Sequence, residues 1–308
     1  MKFRHTILIT LLLALSCSDR HTASSDTGTG MAARPHHAAV PDLPLPPIPD
    51  SLTRPAGRAS YLAAHFWDSL DFADRTLSLD TAFMEQNFAN YLTVFPVIES
   101  DTDRDTAIRA LLHKAAADPE ASRLLHATIE KYLADPDSPM RDEDLFIAFC
   151  RQMLDTPGLL DKSESARTEY NLETALMNRP GSMAPDFRIL RPDGTETTLR
   201  SCRGDTLLLV FHDPGCATCR QTMDRLTQLP LPDGWSVLAV DTESAPSHWR
   251  PDSLHTSSHW QQALALTDVD EADLYRLPVL PTLYLIDTDG RIILKDPDLN
   301  TLARIITE

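Results

Sequence analysis

An all-α domain followed by an α/β domain is the fold class this sequence predicts, on three observations. Between residues 57 and 181 apolar side chains recur at i, i+3 and i+4, the period of a helix with one buried face. From Ala184 onward they gather into short runs bounded by Pro, Gly and Asp, the pattern of strands. The most apolar of these runs, Leu207-Leu208-Leu209-Val210-Phe211, leads into Cys216 and Cys219 and then into a helical stretch carrying Met223, Leu226 and Leu229.

In the all-α part, Tyr61, Leu62, His65, Phe66, Ser69 and Leu70 share one face. Asp80 is placed to N-cap a helix carrying Phe83, Phe88, Tyr91 and Leu92. Asp118-Pro119-Glu120 supplies the cap, first-turn proline and first-turn acid of the next start, which opens a helix through Leu124, Leu125, Ile129 and Leu133. Ser138-Pro139 predicts another start, for Leu145, Phe146, Phe149 and Met153. A last helix runs through Ala166, Tyr170, Leu172 and Leu176 and ends at Pro180-Gly181. No pattern recurs at a fixed period, so a repeat array is not supported. His65, His113 and His126 are scattered and form no catalytic or ligand set.

In the α/β part, Phe187–Leu190 and Glu196–Leu199 flank Pro192-Asp193-Gly194, a hairpin signal. A central strand spans 206–212, a helix starts at Cys216, and Ser236–Asp241 is a strand. A polar insert with Trp249 and Trp260 follows, and after it a helix from Val269 to Leu277. Leu280–Asp287 is the next strand; Asp289-Gly290 turns it into Arg291–Lys295, and a short helix to Ile306 closes the order β-α-β-α-β-β-α.

With 308 residues the chain suffices for two ordinary domains. Its 28 Lys and Arg against 45 Asp and Glu, a net charge of −17, argue against nucleic acid as a partner. Lys2 and Arg4 precede the apolar run Ile7–Leu15, which is too short to span a bilayer and is laid out as a secretory signal. Ser16-Cys17 at its end resembles a bacterial lipobox, although Ala14 stands where Leu is usual and Leu13 lies one place early. Residues 1–17 are therefore expected to be a lipoprotein signal with Cys17 as the lipidated residue; the alternative is an ordinary cleaved signal. Either exports the protein to the cell envelope, and lipidation adds a membrane as partner. Residues 18–56, with the run Pro41-Asp42-Leu43-Pro44-Leu45-Pro46-Pro47-Ile48-Pro49, read as a disordered, Pro-rich tether. The domains are then 57–181, helical, and 182–308, α/β.

Five cysteines bound the chemistry. A strand that delivers two of them, three residues apart, to the start of a helix is a redox arrangement. Unpaired N–H groups and the helix dipole favour a thiolate at Cys216, and the thiolate is the attacking species. Cys219, one turn on, lies within reach to close a disulfide. Cys150, on the apolar face Leu145–Phe149, reads as a buried small hydrophobe. Cys202, ahead of the central strand, is a core residue or a third redox partner. No spacing suggests a structural disulfide framework, and no cofactor motif is present.

The segment from Ala184-Pro185-Asp186-Phe187 to the C-terminus resembles the TlpA/ResA-like thioredoxin proteins. The resemblance rests on Cys216-x-x-Cys219-Arg220 and on Leu280-Pro281-Thr282-Leu283-Tyr284-Leu285-Ile286-Asp287-x-x-Gly290. Lys131-Tyr132-Leu133 through Asp135, with Asn178-Arg179-Pro180-Gly181, resembles a helical domain of unknown function that precedes such modules in bacterial lipoproteins. The resemblance implies a thioredoxin-like fold, with Cys216 as nucleophile and Cys219 as resolving thiol. It implies that Pro281 is a cis-proline facing the pair, shaping the substrate edge and keeping metal away. Relatives usually carry Trp before the first cysteine, where this chain has Gly215. They place a carboxylate six residues before it or three residues after the second cysteine, where this chain has Val210 and Thr222. Asp213 and His212 are the remaining candidates for proton transfer; a capping aspartate and a packed histidine are the plainer alternatives.

The leading reading is an exported, membrane-tethered thiol–disulfide oxidoreductase acting on protein or small-molecule thiols and disulfides. The alternative is a non-enzymatic binding or assembly lipoprotein whose helical domain holds a protein partner and whose thioredoxin-like module is a scaffold. A peroxidase is disfavoured because Asp213 and Cys216 stand where a peroxidatic helix carries Thr or Ser. A zinc site from Cys216, Cys219, His255 and His259 is disfavoured because the histidines fall on a different element.

Overall fold

Side-chain oxygens start almost every helix of the N-terminal half, as shown by a computed structural model that describes residues 41–202, 206–251 and 259–307. Helix α1 (Pro55–His65) begins on its own proline. Asp74, Asp80 and Ser100 cap α2 (Arg75–Ser78), α3 (Thr81–Leu92) and α4 (Asp101–Ala115). Asp118 and Asp142 cap α5 (Pro119–Leu133) and α6 (Glu143–Asp155). Asp161 caps α7 (Lys162–Leu176) in a reciprocal box with Glu164. Each cap satisfies N–H groups that the helix itself leaves unpaired. The inner faces meet in one apolar core whose fully buried members include Phe88, Ile108, Leu125, Ile129 and Phe149.

Three expectations for this half change. Helix α4 is an addition: its acidic start, Asp101-Thr102-Asp103-Arg104-Asp105, hides a buried face of Ala107, Ile108, Leu111 and Leu112. The helix expected from Ser138 begins at Glu143 instead, because Ser138 closes a turn, its hydroxyl bonded to the Tyr132 carbonyl at 2.6 Å. Residues 41–54, read as part of a free tether, pack on the helices. Leu43 is buried, its N–H donates to Asn87 Oδ1 at 2.8 Å, and Asn87 Nδ2 donates to the Pro41 carbonyl. Cys17, the proposed signal and the rest of the tether lie outside the described residues.

The C-terminal half is a seven-stranded sheet in the order β2-β1-β5-β4-β3-β6-β7. Its strands are β1 (Arg188–Leu190), β2 (Glu196–Thr198), β3 (Thr206–His212), β4 (Trp235–Asp241), β5 (Trp260–Ala265), β6 (Thr282–Ile286) and β7 (Ile292–Lys295). Central β3 runs parallel to β4 and antiparallel to β6. Successive side chains of a strand point to opposite faces. Leu207, Leu209 and Phe211 accordingly enter one core, with Tyr275 and Tyr284, while Leu208 and Val210 enter the other. That second core lies beneath α8 (Ala217–Leu226) and α9 (Leu299–Thr307). The hairpin turns at Gly194, at φ +83°, a conformation that costs glycine least.

Two expectations change here as well. The polar insert contains β5, which pairs with both β4 and β1. Residues 269–277 form turns in place of a helix. Asp268 Oδ1 accepts from the N–H groups of Asp270 and Glu271, the Val269 carbonyl takes both Leu274 and Tyr275, and Asp273 sits at φ +52°. A left-handed residue ends a right-handed helix, and Asp tolerates it.

The two halves interlock. Lys295 Nζ, nearly buried on β7, donates to the carbonyls of Thr174, Ala175 and Met177 at the end of α7 and pairs with Glu143 at 2.8 Å. Arg141 donates to the Asp296 carbonyl and pairs with its carboxylate at 2.9 Å. Asn178 Nδ2 reaches the Leu274 carbonyl and Arg291 the Gly181 carbonyl. The described residues from 41 on accordingly belong to one compact unit.

Candidate active site

The central strand ends at His212, and a four-residue turn carries the chain to Cys216, the N-cap of α8. Two bonds shape that turn: the Cys216 N–H donates to the Asp213 carbonyl at 3.1 Å, and the Gly215 N–H to Asp213 Oδ1 at 2.6 Å. A Cβ on residue 215 would stand 3.1 Å from Asp213 Oδ1, so the aspartate turn and the glycine suit one another. The position where relatives carry Trp is thus held by a tight turn.

Cys216 Sγ accepts the Cys219 N–H at 3.3 Å. That amide bond and the Cys219 side chain hold the Cys216 thiol below its ordinary pKa, with Asp213's negative charge partly opposing them. Cys219 is buried, and burial first, then the neighbouring Cys216, pushes its thiol up to about 12. The two thiols are free, Cys216 half-open and Cys219 buried. Cys216 Sγ also lies 3.9 Å from the Leu280 carbonyl. The Leu280–Pro281 peptide, immediately before β6, is cis.

The other candidates fall around this pair. Asp213 is a turn aspartate whose carboxylate already serves the Gly215 amide. His212 is half-buried in register with Asp241 on β4. With Asp213, Arg220, Met223 and Asp241 it lines a cavity of about 280 Å³ on the α8 side of the sheet; among the described residues, neither cysteine lines it. Cys150 is buried and its thiol is pushed up to about 12 by that burial. Cys202 is buried, with Arg191 Nη2 donating to its Sγ at 3.4 Å. Of the zinc set, His255 lies outside the described residues. His259 precedes β5 at the end of the parallel strands away from the cysteines, its Nδ1 3.3 Å from the Trp235 carbonyl.

Sequence reasoning misses a second cavity, reached by the loop ahead of β6. The loop Pro278–Thr282 touches Cys216 through Leu280 and also lines a cleft of about 640 Å³ against α5 and α7. Only the fold brings residues 127–175 to residues 276–296, so no spacing in the chain announces it.

The family described as a domain of unknown function (DUF5106) matches residues 16–178. A thioredoxin-like protein from Bacteroides caccae ATCC 43185, known from its crystal structure, is 28% identical and superposes with a TM-score of 0.74 over 86% of this chain and 97% of its own. Thioredoxin-like protein YneN of Bacillus subtilis is 27% identical over 128 residues, 40% of this chain and 74% of YneN. The fold is thioredoxin-like, with a helical part ahead of the mixed sheet.

Proposed function

The chain belongs, through residues 16–178, to the DUF5106 family, whose description names no activity; from that premise we propose that its chemistry resides in the other half, as thiol–disulfide exchange at Cys216 and Cys219. One observation carries the reading: a half-open Cys216 Sγ accepts the Cys219 N–H at 3.3 Å while Cys219 itself is buried. The Cys216 thiolate attacks one sulfur of a substrate disulfide; that S–S bond breaks, a mixed disulfide forms, and the first substrate thiol leaves with a proton. Cys219 then gives up its proton and attacks Cys216 Sγ, breaking the mixed disulfide and releasing the second thiol. The substrate gains two electrons and two protons as the protein's dithiol becomes a disulfide, and the reverse sequence oxidises a dithiol substrate.

In this reading Cys216 is the nucleophile, Cys219 the resolving thiol and Pro281 part of the substrate edge. Asp213 and His212, three and four residues before Cys216, are its candidates for proton transfer. Cys219→Ser is expected to accumulate a mixed disulfide with a substrate and Cys216→Ser to form none. Absence of exchange by the unaltered protein, with no adduct in Cys219→Ser, would overturn the reading and leave the binding or assembly role.

We also propose that the protein is exported and anchored through a lipid on Cys17. The support is Lys2 and Arg4 ahead of the run Ile7–Leu15, ending in Ser16-Cys17. Among the described residues no helix is long and apolar enough to cross a membrane. Detergent phase partitioning tests the anchor: the intact protein is expected in the detergent phase and Cys17→Ser in the aqueous phase. An aqueous intact protein would refute it.

A further inference from the structure

The cleft between α5, α7 and the Pro278–Thr282 loop has a volume of about 640 Å³, inside the roughly 300–1,000 Å³ range of ligand pockets. Among the described residues, neither cysteine of the pair lines it; the loop Pro278–Thr282 links it to them. Leu280 offers its carbonyl 3.9 Å from Cys216 Sγ, and Val279, the next residue back, is a cleft wall. Val279 is 52% exposed although apolar, and its backbone is pinned by Thr282, whose hydroxyl donates to the Val279 carbonyl at 2.6 Å. Across the cleft, Tyr170 on α7 is 49% exposed. Arg276 holds that ring, its guanidinium 5.6 Å from the ring centroid and anchored on Asp270 and Asp273 at 2.9 and 2.7 Å. Two large apolar side chains therefore line a preformed space one residue along the loop from the carbonyl that Cys216 Sγ approaches, where burying them would be favourable.

The charges around the cleft restrict what fills it. Glu130 is engaged by Arg167 and Asn171, Asp296 by Arg141, and Lys295 by Glu143 and three carbonyls. With those charges already matched, recognition falls to shape and apolar contact. A small disulfide reacting at Cys216 has no part that extends past Leu280. An extended polypeptide does: at about 3.3 Å per residue, two or three residues beyond its cysteine reach about 7–10 Å along the loop.

Resting on the exchange reading above, we propose that the occupant of this cleft is a client polypeptide carrying an apolar or aromatic side chain a few residues from its disulfide cysteine, seated between Tyr170 and Val279. The helical half is then a substrate-selecting wall of the redox site.

The test uses the full chain, reduced, with three probes: hydroxyethyl disulfide and two homodimeric disulfide peptides differing only in Phe or Ser three residues after the cysteine. The Phe peptide is expected to react about tenfold faster than the Ser peptide, the lower end of what burying one aromatic side chain supplies. That ratio is expected to fall toward one in Tyr170→Ala and in Val279→Ser, to persist in Val97→Ser on another exposed face, and to be insensitive to salt. Equal rates for the two peptides, or a ratio that survives both cleft variants, would overturn the cleft proposal while leaving exchange intact. Failure of all three probes would overturn the exchange reading and this proposal with it.

Discussion

At the scale of residues, the two thiols divide their labour through one backbone amide. The Cys219 N–H lowers the pKa of Cys216, and burial raises that of Cys219 to about 12. Alkylation of the reduced protein followed across pH is expected to label Cys216 first, with an inflection below the roughly 8.5 of a free thiol, while Cys219 stays protonated and unlabelled through neutral pH. Equal labelling at neutral pH would contradict the assignment. Asp213 offers a sharper handle because its negative charge raises the pKa of both thiols. Asp213→Asn keeps an oxygen for the Gly215 amide and removes the charge. The Cys216 inflection is therefore expected to move to lower pH, since fewer like charges oppose the thiolate. If the Asp213 carboxylate were instead the acceptor of the Cys219 proton, mixed-disulfide release would slow in this variant while adduct formation kept its rate, and stopped-flow separation of the two steps distinguishes these outcomes. The cysteine pair was legible because strand, turn and helix start are all written in a dozen consecutive residues. The Asp213–Gly215 contact was not, because it depends on how the turn folds back on itself.

Elements were legible in proportion to how locally they are specified. Asp80 and Asp118 announce their helices and do cap them, Pro192-Asp193-Gly194 announces its hairpin, and the apolar run 206–212 is β3. Strand β5 is not legible because half-polar Trp260-Gln261-Gln262 takes its conformation from pairing with β4, and Leu264 and Ala265 from pairing with β1, contacts distant in sequence. The turns at 269–277 read as a helix because Val269, Leu274 and Leu277 mimic its spacing, while Asp268 bonds two backbone amides locally and Asp273 pairs with the Arg276 side chain. The segment 41–54 reads as tether from its prolines, yet composition does not say what an extended chain lies against. Leu43 decides it: the side chain is buried in the helical core and its amide is satisfied by Asn87. Leu43→Ala is expected to cost about 2–3 kcal/mol in denaturant unfolding, the low end for a buried leucine, since an end segment relaxes more easily than a core centre. A loss under about 0.5 kcal/mol, the level of ordinary surface substitutions, would return residues 41–54 to the tether.

At the scale of the molecule, the interlock decides whether the helical half is a passenger or a wall of the redox site. Lys295 is its centre: a cation on β7, 11% exposed, closes the C-terminal carbonyls of α7 and meets Glu143 at the start of α6. Burial lowers its pKa and Glu143 opposes that, so the ion is held by what surrounds it. Lys295→Met keeps most of the stem and removes the charge. Thr174, Ala175 and Met177 then lose a donor, and among the described residues Glu143 retains Arg179, 2.6 Å away. Breaking a fully buried pair costs about 3–5 kcal/mol when the remaining charge is uncompensated, and Lys295→Met is expected to cost less because Glu143 keeps Arg179 and is a quarter exposed. If the interlock makes the halves one cooperative unit, the unaltered protein should give coincident transitions by helical circular dichroism and by exposure of the buried Cys219 to alkylation. Lys295→Met should separate them, one half unfolding before the other. The same variant should lower the Phe-to-Ser peptide ratio, because a cleft wall that is no longer fixed cannot present Tyr170 opposite Val279. Coincident transitions together with an unaltered ratio in Lys295→Met would mean that the halves are held by other contacts and that Lys295 is a local helix cap.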